Sequence, residues 1–473
     1  MLFLKIIFYL ITTIIYLSFR CTHVIIKEQT EKQVLFRLSR ARKNKGKELR
    51  RMAFRTGRCS LVVLFLSLLL SFSSIFRCVS AAWTTLCSEA NPEGCEKDFV
   101  QRRGHSLTRL NESAHVLWGG GFIKMYRNQE LPDTSRMGIY DAQTGSFNDV
   151  NVSGDAPQVV EMHTSVLLGG DMIVFGGMNS TTGATVEPEV FLLDTVSWRW
   201  LSSDEYLVDA TSAPPKLRSH ASTVMGASMF VVGGFAPDRK VEWCGECSHT
   251  NDVYAFFEED EQAPDGKRAF TWTMLDAVSL VRLPPRHGHT VVAKSGANNE
   301  LIVFGGYGYN TQRPTPFQGD VEYYQDIWKF DVDALVWSEI KVASSSQLPP
   351  RRMAHVAEMH AGKMYIHGGY SVLMEGDKYK MRTYRDEKIT FFDDLWRFDF
   401  GTSAWTQLTL AGGDAPSARA WHAWAFYTPN NNGGDGDTEI HVVGGIVQHP
   451  MQGFSDIMTV IKPELHKCII QNN

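Results

Sequence analysis

The residues best suited to chemistry in this sequence are two cysteines and a histidine at 244–249. The stretch WCGEC, residues 243–247, holds Cys244 and Cys247, and His249 follows two residues later. A Cys-x-x-Cys pair can act as a redox dithiol, form a local disulfide or bind a metal. A redox dithiol needs its first cysteine at the start of a helix, and no helical pattern follows. No fourth metal ligand is evident. We therefore expect a disulfide that closes a loop, and no metal site.

A second set of histidines recurs along the chain and is the next candidate for metal binding. Each one precedes a Gly-Gly pair, at His105, His163, His220, His289, His355 and His422. Equivalent positions in successive repeats do not converge as the ligands of one tetrahedral metal would. We interpret these histidines as packing residues.

The elements that position these residues form an internal repeat. The Gly-Gly pairs begin at residues 119, 176, 233, 305, 368 and 444, usually after an apolar run such as MIVF or LIVF. An acidic-aromatic segment and then a tryptophan strand follow, with Trp200, Trp272, Trp337 and Trp405. Short β-branched and aromatic runs between Gly, Pro, Asp and Ser predict four strands per unit. Units of this length suit propeller blades with loop insertions.

These motifs resemble the kelch family, of which the attractin and muskelin type is the most similar. The shared features are an R-x-x-H motif, a Gly-Gly pair, a D-x-[WY]-x-[FY]-D strand and a tryptophan strand. The resemblance implies an all-β, six-bladed kelch β-propeller over residues 82–467, with a tail at 468–473. The sequence departs from the pattern in places: Phe147 replaces a tryptophan in the first unit, and no arginine lies three residues before His163 in the second.

The last unit needs a fourth strand that the C-terminal sequence does not provide. We assign SDIMTVI, residues 455–461, as its third strand, and no tryptophan strand follows it. The segment WTTL, residues 83–86, matches the later tryptophan strands, such as WTML at 272–275. An unpaired edge would leave backbone groups exposed. We therefore expect residues 83–86 to close the ring by pairing with the last blade.

The first 81 residues differ in charge from the rest of the chain. They hold 15 Lys and Arg against 3 Asp and Glu, whereas residues 82–473 hold 32 against 49. The acidic remainder argues against nucleic-acid binding. Two apolar runs, 6–19 and 61–76, predict a signal or membrane anchor, and small residues near 80–82 suggest cleavage. We expect a secreted or membrane-anchored protein with its propeller on the extracellular or lumenal side.

Other residues fit that compartment. Cys87 and Cys95 form a second candidate disulfide, and Cys468 is left over. Three N-x-[ST] sequons offer glycosylation sites at Asn111, Asn151 and Asn179.

The lengths of the loops between the second and third strands indicate a candidate binding site. These loops are long in units three to five and should emerge on one face. They carry the Tyr and Arg side chains that interfaces favour, namely Tyr307, Tyr309, Arg313, Tyr323, Tyr324, Tyr370, Tyr379, Arg382, Tyr384 and Arg385. We expect a protein or glycan partner there. The alternative interpretation is that these loops only cover one another.

Enzymes are the rival class. The family resemblance also includes copper-radical oxidases, iron-dependent specifier proteins and sugar mutarotases. The oxidase type needs additional β domains, for which the chain has no room. A mutarotase needs only a few polar groups at the ring mouth. No catalytic residue and no cofactor is predicted.

Overall fold

The fold was analysed in a computed structural model of the chain. It describes residues 83–87, 97–122, 133–238, 248–260, 263, 265–296, 298–309, 321–373, 388–408, 415–429, 438–449, 458–461 and 465–470. Contacts divide the chain into Met1–Cys78 and Val79–Asn473, and every described residue lies in the second unit. In these ranges no helix has the length and apolar character needed to cross a bilayer. The apolar runs 6–19 and 61–76 lie outside the described residues.

The described chain is almost entirely β, and its first elements lead into a four-stranded sheet. Strand β1 (Trp83–Cys87) is followed by a single helical turn, α1 (Lys97–Val100). Sheet 1 then consists of β2 (Ser106–Arg109), β3 (Ala114–Trp118), β4 (Met137–Asp141) and β5 (Ser146–Val150). Phe147 packs on Tyr140 and Phe99 with ring centroids 4.8 and 5.2 Å apart, so it fills the place of the expected tryptophan.

Sheets 2 and 3 repeat this plan, each with one extra parallel strand. Sheet 2 contains β6 (Ser153–Gly154), β8 (Thr164–Leu168), β9 (Asp171–Phe175), β11 (Val190–Asp194) and β12 (Arg199–Trp200), and a ribbon pairs β7 (Val160–Glu161) with β10 (Met178–Asn179). Sheet 3 contains β13 (Tyr206–Asp209), β14 (Ala221–Met225), β15 (Ser228–Phe235), β16 (His249–Glu258) and β17 (Arg268–Met274).

Sheets 4 and 5 have four strands each and carry small accessory sheets. Sheet 4 contains β19 (Thr290–Lys294), β20 (Glu300–Phe304), β23 (Ile327–Asp331) and β24 (Val336–Glu339), and its accessory sheet is β18 (Arg286–His287), β21 (Tyr307–Tyr309) and β22 (Val321–Tyr323). Sheet 5 contains β25 (Val356–His360), β26 (Lys363–His367), β29 (Leu395–Asp399) and β30 (Ala404–Gln407), with β27 (Tyr370–Leu373) and β28 (Lys388–Phe391) as its hairpin.

Sheet 6 joins the two ends of the described chain. Its accessory sheet is β31 (Arg419–Ala420), β34 (Ile446–His449) and β35 (Met458–Ile461), and its main strands are β32 (Ala423–Tyr427), β33 (Thr438–Val443) and β36 (Leu465–Ile470), followed by β1 at the edge. Trp83 pairs with Cys468, Thr84 with Lys467 and Thr85 with His466. The expected pairing of residues 83–86 with the last sheet is therefore present.

Two sequence expectations about this last sheet were wrong. Its third strand is β36, whereas Met458–Ile461 belongs to the accessory sheet beside Ile446–His449. The expected tail at 468–473 also begins inside β36, since that strand continues to Ile470. Both segments are rich in β-branched and apolar residues, so strand propensity alone does not separate them.

The core lies between the sheets and not inside any one of them. The second strands β9 and β20 are buried at every position, because both faces are covered by neighbouring sheets. Apolar clusters fill the gap between each sheet and the next, from sheet 1 to sheet 6. A further cluster joins Ala425 and Val443 of sheet 6 to Leu117 and Tyr140 of sheet 1. All four repeat tryptophans are buried, namely Trp200, Trp272, Trp337 and Trp405.

Candidate interaction face

A closed circle of six backbone hydrogen bonds lies at the centre of the sheets. Each residue donates its N–H to the carbonyl oxygen of the equivalent residue in the preceding sheet, over 2.8–3.0 Å. The members are Gly104, Met162, Ser219, Gly288, Ala354 and Trp421. All six have φ between 51° and 62°, which is uncommon for the four that are not glycine. This axial ring fixes the six sheets around a small cavity of about 160 Å³.

The six repeat histidines come directly after these residues and line the same cavity. Each imidazole also lies against the first glycine of the preceding sheet. A Cβ atom placed on Gly176 would lie 2.7 Å from Cε1 of His220, and one on Gly444 would lie 2.9 Å from Cε1 of His105. The structure thus supports the packing interpretation, and it explains why each pair must begin with glycine.

These histidines are buried in their neutral form. Burial lowers the pKa of His163 to about 4 and that of His220 to about 3. His163 Nε2 lies 2.9 Å from Ser106 Oγ, and His220 Nε2 lies 2.8 Å from Thr164 Oγ1. Each of these contacts links one sheet to the next.

The repeat arginines lie beside the same glycines. In sheets 4 and 5 the guanidinium forms a two-pronged pair with the aspartate that precedes the third strand. Arg286 donates to both oxygens of Asp326 at 2.7 and 2.9 Å, and Arg352 donates to Asp394 at 2.6 and 2.7 Å. Burial alone would raise the pKa of the Asp326 carboxyl, but Arg286 holds it below its usual value. These arginines are therefore structural.

Short accessory strands extend the same end of each sheet. They pair the segment before the histidine with the segment after the Gly-Gly pair, as in β18 with β21 and β31 with β34. Isolated bridges between Arg103 and Gly121 and between Arg218 and Phe235 repeat the pairing in sheets 1 and 3. Sheet 6 carries such a hairpin too, so the loop-bearing face includes one more sheet than the sequence predicted.

Aromatic side chains on this face form a continuous row that begins at Trp421 of the axial ring and runs from sheet 6 to sheet 3. The members, which we call the aromatic arc, are Trp421, Tyr370, Tyr323, Tyr307, His287 and His249. Successive ring centroids lie 5.0, 5.9, 4.9, 5.6 and 4.7 Å apart. Tyr309 adds an edge contact to His249 at 4.8 Å. Trp421 and the tyrosines of the arc are half-buried, so they combine fixed packing with exposed surface.

The structure thus brings together four of the predicted tyrosines and separates a fifth. Tyr307, Tyr309, Tyr323 and Tyr370 lie in or beside the aromatic arc. Tyr324 is buried, its ring lies 3.9 Å from the guanidinium carbon of Arg286, and its hydroxyl donates to the carbonyl of Tyr309 at 2.7 Å. Burial raises its pKa above the ordinary range. Tyr324 therefore lies on the buried side of the chain, whereas Tyr323 is half-buried, because adjacent residues of an extended segment point to opposite sides.

Arg313, Tyr379, Arg382, Tyr384, Arg385, Cys95, Cys244 and Cys247 lie outside the described residues, as does the side chain of Cys87. Among the sequons, Asn111 and Asn151 are exposed. Asn179 is half-buried, and its side-chain oxygen accepts the backbone N–H groups of Thr181 and Thr182.

Sequence reasoning missed three members of the arc. Trp421 directly precedes the repeat histidine His422, and His287 lies within the R-x-x-H motif at 286–289. His249 follows Cys244 and Cys247, and the sequence indicates it only as a possible metal ligand beside them. The available signal was positional: each of the three lies beside the motif residues that place it at the loop-bearing end of its sheet.

This fold and its repeated Arg, His and Gly contacts define a protein built from tandem β units on one plan. The KLHDC2/KLHL20/DRC7 Kelch-repeats domain matches residues 104–265 and 266–445. The chain therefore belongs to the kelch-repeat family.

Curated relatives carry the same repeats. Host cell factor of Drosophila melanogaster is 27% identical over 326 residues, which cover 68% of this chain and 20% of that protein. Kelch domain-containing protein 3 of Homo sapiens is 27% identical over 325 residues, covering 67% of this chain and 75% of that protein. The chain thus spans only a fifth of the length of the first of these relatives.

Proposed function

We propose that residues 83–470 form one closed, six-bladed kelch propeller that binds a protein partner through the aromatic arc. The six sheets are its blades, and β1 completes the last one. Support for the blade count comes from the axial ring and from the apolar clusters, which run through all six sheets and return to the first. Kelch repeats in general suggest a protein-interaction role.

The observation that carries the proposal is the half-exposed aromatic row itself. Tyr and Trp are the residues on which binding energy concentrates in interfaces. The packing of Tyr370 against Trp421 and Phe391 holds the rings in place before a partner arrives, so little side-chain entropy is lost on binding.

We further propose that the propeller works outside the cytosol, either secreted or tethered by the N-terminal apolar segments. The charge change near residue 81 and the two apolar runs support this location. A glycan is the alternative partner on such a surface.

The test is cross-linked affinity capture with the full-length protein as bait. A Tyr323→Ala/Tyr370→Ala variant should lose the partner. Val196→Ser is the matched control, since Val196 is 88% exposed in the turn between β11 and β12, at the opposite end of its sheet. Melting curves of both variants establish that they are folded.

A partner retained equally by the arc variant and the wild type would contradict the proposal. Loss of binding after enzymatic deglycosylation of the extract would identify a glycan instead of a protein surface.

A further inference from the structure

The Arg-x-x-His motifs place a guanidinium group at one fixed position in four of the six sheets. The arginine side chains are completely buried there. Nη1 of each donates to the carbonyl oxygen of the first glycine in the Gly-Gly pair of its own sheet, over 2.7–2.9 Å. These arginines are Arg102, Arg286, Arg352 and Arg419.

Arg286 in sheet 4 shows the other contacts that this position provides. Its Nε donates to the carbonyl oxygen of Pro284 at 3.0 Å, and both Nη atoms donate to Asp326, the residue before the third strand. The guanidinium also lies over the ring of Tyr324, two residues before that aspartate. The position thus surrounds a planar cation with two carbonyl oxygens, one carboxylate and one side chain that faces its plane.

Sheet 2 has the same position without the arginine. Val160 replaces it and fills only part of the space, since a cavity of about 80 Å³ lies beside its side chain. The cavity is lined by the residues equivalent to the four contact residues of Arg286, namely Gln158, Gly176, Glu187 and Glu189. Other walls, such as Val174 and Phe191, are apolar. The volume is several times what one water molecule needs, so there is room for a small planar cation.

The equivalence follows from position in the repeat. Gln158 lies two residues before Val160, and Gly176 begins the Gly-Gly pair of sheet 2. Glu189 directly precedes β11, the third strand, and Glu187 lies two residues earlier. A second carboxylate therefore replaces the aromatic ring of sheet 4, which makes this cavity the more acidic of the two positions.

The groups that would receive a cation are accessible and have no partner of their own. Gln158, Glu187 and Glu189 are exposed, so the cavity is open to solvent at its acidic edge. Glu187 pairs with Nζ of Lys216 at 2.6 Å, whereas Glu189 forms no ion pair with any residue that the structure describes. Within the same described ranges, nothing donates a hydrogen bond to the carbonyl oxygen of Gly176.

We propose that the sheet 2 cavity binds a guanidinium group from outside the chain, supplied by an arginine side chain of a partner or by a free guanidinium compound. The group donates to the carbonyl oxygens of Gln158 and Gly176 and to the carboxylate of Glu189. Guanidinium suits this set because its N–H donors form a fixed planar fork, whereas an ammonium is a point charge.

The cavity lies at the loop-bearing end, because Val160 begins β7 of the accessory ribbon. A partner on the aromatic arc can therefore reach it from the same face. Only this source of the guanidinium rests on the proposed function; binding of the group itself does not.

The test is isothermal titration calorimetry of the full-length protein with N-acetylarginine methylamide. We expect one site with a dissociation constant on the order of 1 mM at low ionic strength, as suits a single small cation. N-acetylcitrulline methylamide has the same shape without the charge and should bind at least about 10-fold more weakly.

Substitutions at the acidic edge locate the site. Glu189→Gln should lower the affinity for the arginine compound at least about 10-fold, because it removes the charged acceptor. Glu259→Gln is the matched control, since Glu259 is exposed just after β16, at the opposite end of sheet 3. It should bind as the wild type does.

Filling the cavity from within the chain separates a specific site from general attraction to an acidic surface. Val160→Arg gives sheet 2 the arginine of the other sheets and should abolish binding of the arginine compound. Val160→Leu copies the residue type of Leu217 in sheet 3, fills space without adding charge and should also weaken binding. Melting curves establish which variants are folded, and Val160→Leu keeps the test valid if Val160→Arg does not fold.

Two results would overturn the proposal: equal affinity for the citrulline and arginine compounds, or wild-type affinity in a folded Val160 variant. Affinity capture with Val160→Arg as bait then distinguishes the sources. Loss of a partner that the wild type retains identifies an arginine of that partner, and full retention identifies a free guanidinium compound. Tyr323→Ala/Tyr370→Ala should leave binding of the arginine compound unchanged, so failure of the aromatic arc and failure of the cavity are distinguishable.

Discussion

Sheets 4 and 5 hold a buried arginine–aspartate pair, and sheets 2 and 3 hold an aliphatic residue at the position of that arginine. Val160 and Leu217 are 4% and 0% exposed, and their carbonyl oxygens contact the glycines Gly119 and Gly176 as the arginine backbones do elsewhere. In sheet 2 the acidic residue before the third strand, Glu189, is exposed. The ion pair is thus one of two ways to fill the same space.

The comparison separates what is optional from what is constant. A buried ion pair offsets the cost of desolvating two charges, so an apolar replacement of the whole pair can be nearly neutral. The axial ring, the histidines and the Gly-Gly pairs occur in both kinds of sheet. We infer that the axial ring, the histidines and the Gly-Gly pairs define the fold. The arginine–aspartate pair is one way to fill the space beside the glycines in individual sheets.

The largest predicted effect comes from breaking one pair. Arg352→Met leaves the Asp394 carboxylate buried without its partner, and it should lower the free energy of unfolding by about 3–5 kcal/mol. Urea denaturation measures this. Arg351→Met is the matched control, because the neighbouring Arg351 is 49% exposed and its pair with Glu322 is at the surface. The Arg351→Met substitution should lower the free energy of unfolding by less than about 1 kcal/mol.

The double variant Arg352→Met/Asp394→Leu converts sheet 5 to the aliphatic kind. It should recover most of the free energy of unfolding that Arg352→Met loses. If the double variant is as unstable as the single one, the two kinds of sheet are not interchangeable.

The next largest effect is the loss of stability when the first glycine of a Gly-Gly pair is replaced, and it should be the same in both kinds of sheet. A Cβ on Gly176 of sheet 2 would lie 2.6 Å from the carbonyl oxygen of Leu217, and one on Gly305 of sheet 4 would lie 2.8 Å from that of Arg352. Both glycines have positive φ. A Gly→Ala substitution would combine overpacking with the strain of a left-handed backbone. It should therefore lower the free energy of unfolding by about 3 kcal/mol at either position.

Gly169→Ala is the matched control for these glycines. Gly169 has a φ of 60°, but nothing lies within 4 Å of its added Cβ. Its substitution should cost about 1 kcal/mol by thermal denaturation. A large difference between Gly176→Ala and Gly305→Ala would show that the arginine contributes to the glycine contact after all.

The sequence predicts the constant parts well because they are local. The Gly-Gly pairs, repeat histidines and tryptophan strands each occur at fixed positions within a unit, and WTTL at 83–86 has the same pattern as the strands it completes. The last sheet shows where prediction from local sequence fails, since β35 was expected as its third strand and β36 takes that place. Both segments favour strands, and only the pairing of Ile446–His449 with Met458–Ile461 distinguishes them.

The site was less predictable because it depends on contacts between sheets. Loop length predicted one face as the binding face, and four of the predicted tyrosines lie together there. The neighbours of His249 and the burial of Tyr324 result from the packing of separate units, which no single motif encodes. Alternation along the strand distinguishes Tyr323 from Tyr324 in principle, but the sequence does not show which of the two faces inward.

The smallest effect tests whether the histidines contribute equally in both kinds of sheet. Burial lowers the pKa of His163 to about 4, and burial together with nearby Arg352 lowers the pKa of His355 well below its ordinary value. The unfolded chain then binds a proton at about pH 6.5 that the folded protein does not. Stability is therefore complete above pH 6.5 and falls as the pH decreases. Each histidine should cost about 2 kcal/mol between pH 7 and pH 5.

His163→Gln and His355→Gln should each flatten this pH dependence by close to one proton, as measured by urea unfolding at a series of pH values. The two variants should agree with each other, since burial holds the pKa of both imidazoles well below the ordinary value in the folded protein. The other histidines are unchanged in each variant, so the change in slope reports the difference in protons bound by the substituted histidine in the unfolded and folded states. An unchanged slope in His163→Gln, with a flattened one in His355→Gln, would mean that the arginine and not burial keeps these imidazoles neutral.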